Sequence, residues 1–264
     1  MFYLNQMGKV VYALSDALKV PHGFSTRLGG VTRLPHAASM NFTTSTGDSE
    51  ENVAENYRIF LSTLGLEFEG RVSSHQIHSA KVCYVTEADR GRAFEDCDGF
   101  VTDRQGVVLI VKTADCVPIL LADAKAGVIG AVHAGWRGTV NEIAANAVEE
   151  MVRLGALREN IRVAIGACIH ECCFEVQQDF YDAVAAIQGK AFADTHIRKK
   201  DGKMQGDLVS MNLAILEKAG IAKEQIDLSG DCTCCAPETY HSHRATKGRR
   251  GTMAAAIGLP NRSL

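Results

Sequence analysis

Apolar residues fall in short blocks along the chain, and their spacing sorts them into strands and helices. Residues 107–111 and 128–132 are β-branched and apolar runs bounded by Gly and Asp, with 118–122 extended between them. That is the pattern of buried strands. Residues 10–14, 161–165 and 253–257 read the same way, and 72–85 reads as a strand pair. Helical spacing of Val53, Tyr57, Phe60, Leu61 and Leu64 predicts a helix over 50–64. Residues 178–187 also read as helical, and an amphipathic helix over 208–219 is closed by Gly220. Thr139 with Glu142 three residues on is a capping-box pattern, predicting one helix from there to Leu154 with Gly155 as its cap. HGFSTRLGG at 22–30 reads as a loop, Asp98-Gly99 as a turn, and 195–205 as an exposed polar hairpin. No linker or repeat divides the chain, so residues 1–264 are read as a single α+β domain with a mixed β-sheet core and flanking helices. Strict βαβ alternation is absent, which argues against a dinucleotide-binding sheet.

Composition adds exclusions. The 264 residues are 46% apolar and 22% charged, with a net charge of -3. Such a balance gives no general attraction to nucleic acid or to an anionic membrane. No apolar run reaches the roughly 18 residues of a membrane span. Residues 1–20 lack the basic start and long apolar core of a signal peptide, which points to the cytoplasm. Disulfides are then not expected, and the nine cysteines read as thiols, metal ligands or core residues.

Candidate chemistry sits at the ends of the central runs. Cys116 follows Thr113-Ala114-Asp115, and His133 precedes Gly135-Trp136-Arg137-Gly138. Each also has an ordinary reading, Cys116 as a small buried hydrophobe and His133 as a satisfied core histidine. With His78 they make two imidazoles and a thiolate, donors that suit zinc and leave one position open. The same three residues suit a Cys–His hydrolase with Cys116 as nucleophile. His75 competes with His78, because residues three apart on a strand face opposite ways. Cys232 and Cys235 form a C-x-x-C, half of a structural zinc site, but no second C-x-x-C stands at the usual spacing. Cys232, Cys234 and Cys235, like Cys168, Cys172 and Cys173, are therefore read as buried thiols. Arg27, Arg137 and Arg244 are candidates for bidentate phosphate contacts, while Arg249 and Arg250 read as solvated charges. Asp115 and Glu175 are candidates to protonate a leaving group.

Taken in order, HGFSTRLGG, Gln76-Ile77-His78, Asp98-Gly99, TADCVP at 113–118, HAGWRG at 133–138, residues 165–176, and 232–237 with Ser242-His243-Arg244 resemble the YfiH-like laccase-domain family. Its members were first named multicopper polyphenol oxidases and are described as purine nucleoside phosphorylases. The resemblance covers nearly the whole chain. It implies zinc on His78, Cys116 and His133, choosing His78 over His75. It implies phosphorolysis of adenosine, inosine and methylthioadenosine, adenosine deamination as a side activity, and a fold shared with a bacterial toxin's Cys-His deamidase domain. The partners implied are purine nucleosides and phosphate, and a homodimer is compatible with them. Ala167 and Phe174 stand where the family usually has proline and tyrosine. Copper(II) is the other metal such an N/S site takes. Yet nine histidines without repeated His-x-His sets, beyond His241-Ser242-His243, do not suit a blue-copper oxidase.

Overall fold

The central runs form three consecutive strands that change sheets part-way. In chain order the strands are β1 (Phe2–Met7), β2 (Val10–Ser15), β3 (His22–Ser25), β4 (Arg71–Ser74), β5 (Val82–Tyr84), β6 (Ala93–Phe94), β7 (Gly99–Thr102) and β8 (Val108–Thr113). They continue with β9 (Val117–Asp123), β10 (Val128–Ala134), β11 (Arg162–Ile165), β12 (Glu175–Val176), β13 (Ile197–Lys200), β14 (Lys203–Gly206), β15 (Ile226–Leu228) and β16 (Met253–Gly258). The helices are α1 (Glu50–Thr63), α2 (Trp136–Val140), α3 (Ile143–Arg153), α4 (Gln178–Gln188), α5 (Lys190–His196) and α6 (Leu208–Lys218). These come from a computed structural model that describes residues 1–200 and 202–259.

One seven-stranded sheet has the order β1-β2-β3-β16-β8-β4-β6, and a six-stranded sheet has β15-β11-β9-β10-β7-β5. Both are mixed: β4 runs parallel to β8 and β6, and β5 to β7, while β8–β16 and β9–β10 are antiparallel. Strand alternation then separates three apolar layers. Leu109 and Val111 of β8, Ala255 and Ile257 of β16, Leu120 of β9 and Ile129 and Ala131 of β10 meet in one layer between the sheets. The opposite faces of β9 and β10, with Ile119, Leu121, Val128 and Val132, pack on Ala147, Val148 and Met151 of α3 and Met211 and Ile215 of α6. Val108 and Ile110 face Tyr57, Phe60 and Leu61 of α1. The order is helix, sheet, sheet, helix. Burying a Leu, Ile or Val side chain contributes about 1.5–3 kcal/mol, whereas an exposed ion pair contributes about 0–1 kcal/mol. The layers, and not the surface pairs, set the frame.

Several expectations need correcting. His22–Ser25 is a buried strand, not a loop, because its backbone pairs with β16. The pair read at 72–85 exists as β4 and β5, but these lie in different sheets. The single helix read from Thr139 is two helices, broken at Glu142, whose φ of 62° is left-handed. Thr139 lies buried inside α2 and accepts from Asn212 Nδ2 at 3.0 Å, so it caps nothing. Cys83 and Cys97 form a disulfide that the expected compartment argued against. Of the six cysteines read as buried thiols, only Cys168 is buried, while Cys172 and Cys235 are exposed.

Candidate metal centre

β8 belongs to the first sheet and β9 to the second, so Ala114-Asp115-Cys116 is where the chain crosses between them. That crossing sets Cys116 just before Val117, which pairs with Ala134 at the end of β10; the neighbouring register pairs His133 with Pro118. The third residue arrives on the loop after β4. His78 has φ of 62°, the left-handed region that costs a non-glycine residue energy unless its surroundings fix it. Asp98 supplies that fixing. Its buried carboxylate accepts the backbone N–H groups of Ile77, His78 and Ser79 at 3.2, 3.0 and 2.8 Å, and the Ser79 hydroxyl at 2.7 Å. The same carboxylate takes Nδ1–H of His133 at 2.8 Å, and the Asp98 carbonyl accepts the His133 amide at 2.7 Å. One side chain thus places two of the three candidate ligands.

Two glycines let the loop come this close. A Cβ on Gly135 would stand 2.2 Å from His78 Nδ1, and one on Gly138 would stand 2.7 Å from the Ser79 carbonyl. The first and last glycines of GWRG are therefore room for the His78 loop. The His78 and His133 rings meet edge-on at 4.9 Å, and one donor atom from each of His78, Cys116 and His133 lies within 4.8 Å of the others. His75 is exposed on the same loop, which is not a strand, so alternation does not separate the two histidines.

Electrostatics fit a cation. Burial lowers the His78 pKa to about 4, aided by the His133 and Arg137 charges, so this ring is neutral and free to donate a lone pair. His78 Nδ1 is buried with no hydrogen-bond partner, so the ring's bonding capacity is not spent on the protein. Burial opposes charge on Asp98 too, yet bonds from His133 and Ser79 hold it down at about 2. Burial would also lower His133, but the Cys116 negative charge and Asp98 outweigh it and hold the ring at about 9 without a metal. A carboxylate behind the imidazole, a buried unpartnered nitrogen and a thiolate are the donor set and support that zinc takes.

Two cavities share these residues. One, of about 260 Å³, is walled by Trp136, Ile169, Phe174 and Leu208, with His243, Arg244 and Arg250 also lining it. The other, of about 210 Å³, is lined by hydroxyls and cations, among them Thr43, Ser45, Lys112, Thr252 and Arg250. His78, Cys116 and Arg250 border both. Asp115 also lines the first, but its carboxylate is engaged by the Thr233 hydroxyl at 2.7 Å and the Arg244 amide at 2.6 Å. Of the three arginines expected to hold phosphate, Arg27 spends its guanidinium on the Ala38 and Pro237 carbonyls. Arg137 is exposed and stacks on Trp136, 4.2 Å from the ring centre. Arg244 borders the cavity while donating to the Cys173 and Glu175 carbonyls at 3.0 and 3.1 Å. The Glu175 side chain pairs with Lys203 at 2.8 Å. Arg250, read as a solvated charge, instead lines both cavities, and its Nε is buried without a partner. Asp98, Arg250 and Lys112 are what sequence reasoning missed. Asp98-Gly99 was the available signal for the first; nothing local marked the others.

The model of the family described as multi-copper polyphenol oxidoreductase laccase matches residues 21–260. The chain belongs to this family. A purine nucleoside phosphorylase of Deinococcus radiodurans is 39% identical over 245 residues, covering 93% of this chain and 91% of that protein. Adenosine deaminase RL5, from an unknown prokaryotic organism, is 35% identical, covering 84% of this chain and 87% of that protein. The crystal structure of the hypothetical protein YfiH from Bacillus licheniformis superposes with a TM-score of 0.89 at 30% identity, covering 97% of this chain and 98% of that one. The laccase-domain membership and the α+β fold are as the motifs implied, and the relatives' names point to an enzyme. No described helix is long and apolar enough to cross a membrane.

Proposed function

We propose that the chain is a zinc-dependent purine nucleoside phosphorylase of the cytoplasm. It acts on adenosine, inosine and methylthioadenosine with inorganic phosphate, and deaminates adenosine as a side activity. The observation that carries this is the junction of an aromatic cavity and a cationic one at His78, Cys116 and Arg250. A purine is flat and apolar-faced, so it suits the cavity between Trp136 and Phe174. Phe180 props both rings, 5.3 Å from Trp136 and 5.6 Å from Phe174. Phosphate suits the other side. There Lys112, its pKa lowered by burial, has no acidic partner among the described residues, and Arg250 offers an unpartnered nitrogen. This assignment puts Lys112 and Arg250 ahead of Arg27, Arg137 and Arg244 as the phosphate anchors.

In the reaction the C1′–N bond of the nucleoside breaks, a phosphate oxygen bonds to C1′, and a proton ends on the base. Fixing phosphate and nucleoside on opposite sides of one junction supplies the proximity that this step needs. His243, in the wall of the aromatic cavity, is the residue we assign to protonate the leaving base. Zinc held by His78, Cys116 and His133 would supply Lewis-acid chemistry to a substrate oxygen. Product analysis with adenosine, with and without phosphate, is the test. Ribose 1-phosphate and adenine are expected only with phosphate; free ribose instead would make the enzyme a hydrolase. Removing the cations with Lys112→Met and Arg250→Met should raise the KM for phosphate about 10–100-fold, from the roughly 1.5–3 kcal/mol of a charged hydrogen bond, and alter deamination little.

One observation favours a second reading. Asp98, His133 and Cys116 stand in the order of a carboxylate–imidazole–thiol nucleophile set. Zinc coordination would occupy that sulfur. Strong iodoacetamide labelling of Cys116 before any chelator is added would favour the hydrolase, and labelling only after chelation favours zinc.

A further inference from the structure

Fifty-eight residues of sequence separate Cys172-Cys173 from Cys232-Thr233-Cys234-Cys235, yet the fold brings four of these sulfurs together. Cys172 Sγ lies 3.6 Å from Cys235 Sγ and 3.8 Å from Cys173 Sγ, and Cys173 Sγ lies 3.4 Å from Cys235 Sγ. With Cys232 the whole set falls within 4.8 Å. Sulfurs at about 2.3 Å from a tetrahedral zinc ion stand about 3.8 Å from one another. Three of the sulfurs are thus spaced close to the edges of a zinc tetrathiolate, and the fourth, of Cys232, stands within 4.8 Å of them. We propose that Cys172, Cys173, Cys232 and Cys235 bind a second metal ion, a thiophilic divalent cation of the zinc class, independent of the centre at His78, Cys116 and His133.

Three further features agree. The set contains no carboxylate or imidazole, so calcium and magnesium are disfavoured and soft metals are selected. Four protein donors close the coordination sphere, which makes a structural site rather than a catalytic one. The sulfur of Cys232 also accepts the His170 amide at 3.4 Å, and the amides of Cys234 and Cys235 face it as well. N–H groups aimed at a sulfur stabilise a thiolate ligand.

The two segments are already joined beside the cluster. Cys168 bridges Cys232 as a parallel pair, and the Thr233 amide donates to the Cys168 carbonyl at 2.9 Å. A metal would lock this join, and the join carries the cavity wall: Phe174 follows Cys173, and Arg244 donates to the Cys173 carbonyl. Its role would therefore be to hold the purine-side wall in place.

The test counts metals. Protein purified under reductant, loaded with zinc and dialysed should hold two metals per chain. A His78→Ala, His133→Ala variant should keep one, and Cys172→Ser, Cys235→Ser should keep the other. Loading the histidine variant with cobalt(II) should give tetrahedral d–d bands and strong thiolate-to-cobalt charge transfer, which cysteines with a purely packing role would not produce. Should the histidine variant lose its fold, stepwise chelation of the wild-type protein replaces it, with two separable metal-release steps expected. No metal in the folded histidine variant, a single release step, or a disulfide within the cluster in freshly reduced, zinc-loaded protein would overturn the assignment.

Discussion

Gly135 is the most constrained residue of the centre, because any Cβ there would enter the space of the His78 ring. Gly135→Ala should push His78 out of place at a cost of about 1–3 kcal/mol, the usual price of overpacking. Metal per chain should fall while the circular dichroism spectrum keeps its native shape; full metal retention would show that the loop can yield. Asp98 is the other key residue, since its carboxylate serves both the His78 loop and His133. Asp98→Asn loses the charge behind the imidazole, and zinc affinity should drop about 10–100-fold, as for other carboxylates that support metal-bound histidines. Competition against a chelator of known affinity would measure it.

Elements show what the sequence could and could not disclose. The helix over α1 was legible from its apolar spacing, and its start is set by Ser49, whose hydroxyl accepts the Asn52 amide at 3.2 Å. Ser49→Ala should cost about 1 kcal/mol, lowering Tm by about 2–4 °C in a chain of this size; an unchanged melting curve would mean that α1 is held by packing alone. Strands β8, β9 and β10 were legible for a similar reason, since both faces are buried and the runs are continuous. What hid β3 was composition, glycine and polar residues whose strand character comes from pairing with β16, more than 200 positions away. The break at Glu142 was masked because Thr139 and Glu142 imitate a helix start. The candidate ligands were legible because their chemistry is rare, and because Cys116 immediately precedes β9 and His133 lies near the end of β10. Asp98, Arg250 and the four-sulfur cluster were not, because their meaning lies in partners distant along the chain.

For the molecule as a whole, three buried histidines outside the proposed metal site, His22, His196 and His241, give stability a direction in pH. Burial lowers the pKa of all three, that of His241 from 6.5 to about 4. Unfolded chain would therefore take up protons in that window that the folded chain refuses, so stability is full above pH 6.5 and falls as pH drops toward about 4. His241 alone accounts for up to about 3 kcal/mol by the usual conversion. Denaturant midpoints across this range should show the slope, and His241→Gln, which can still donate to the Met40 carbonyl, should flatten it. The same frame also decides when the centre takes shape. The contacts from Asp98 to the His78 loop are between protein groups, so the candidate ligands are expected to be aligned before any ion arrives. Hydrogen–deuterium exchange should find the amides of Ile77, His78 and Ser79 about equally slow with the metal stripped and restored. Rapid exchange in the stripped protein would mean that the ion, rather than the carboxylate, orders the loop.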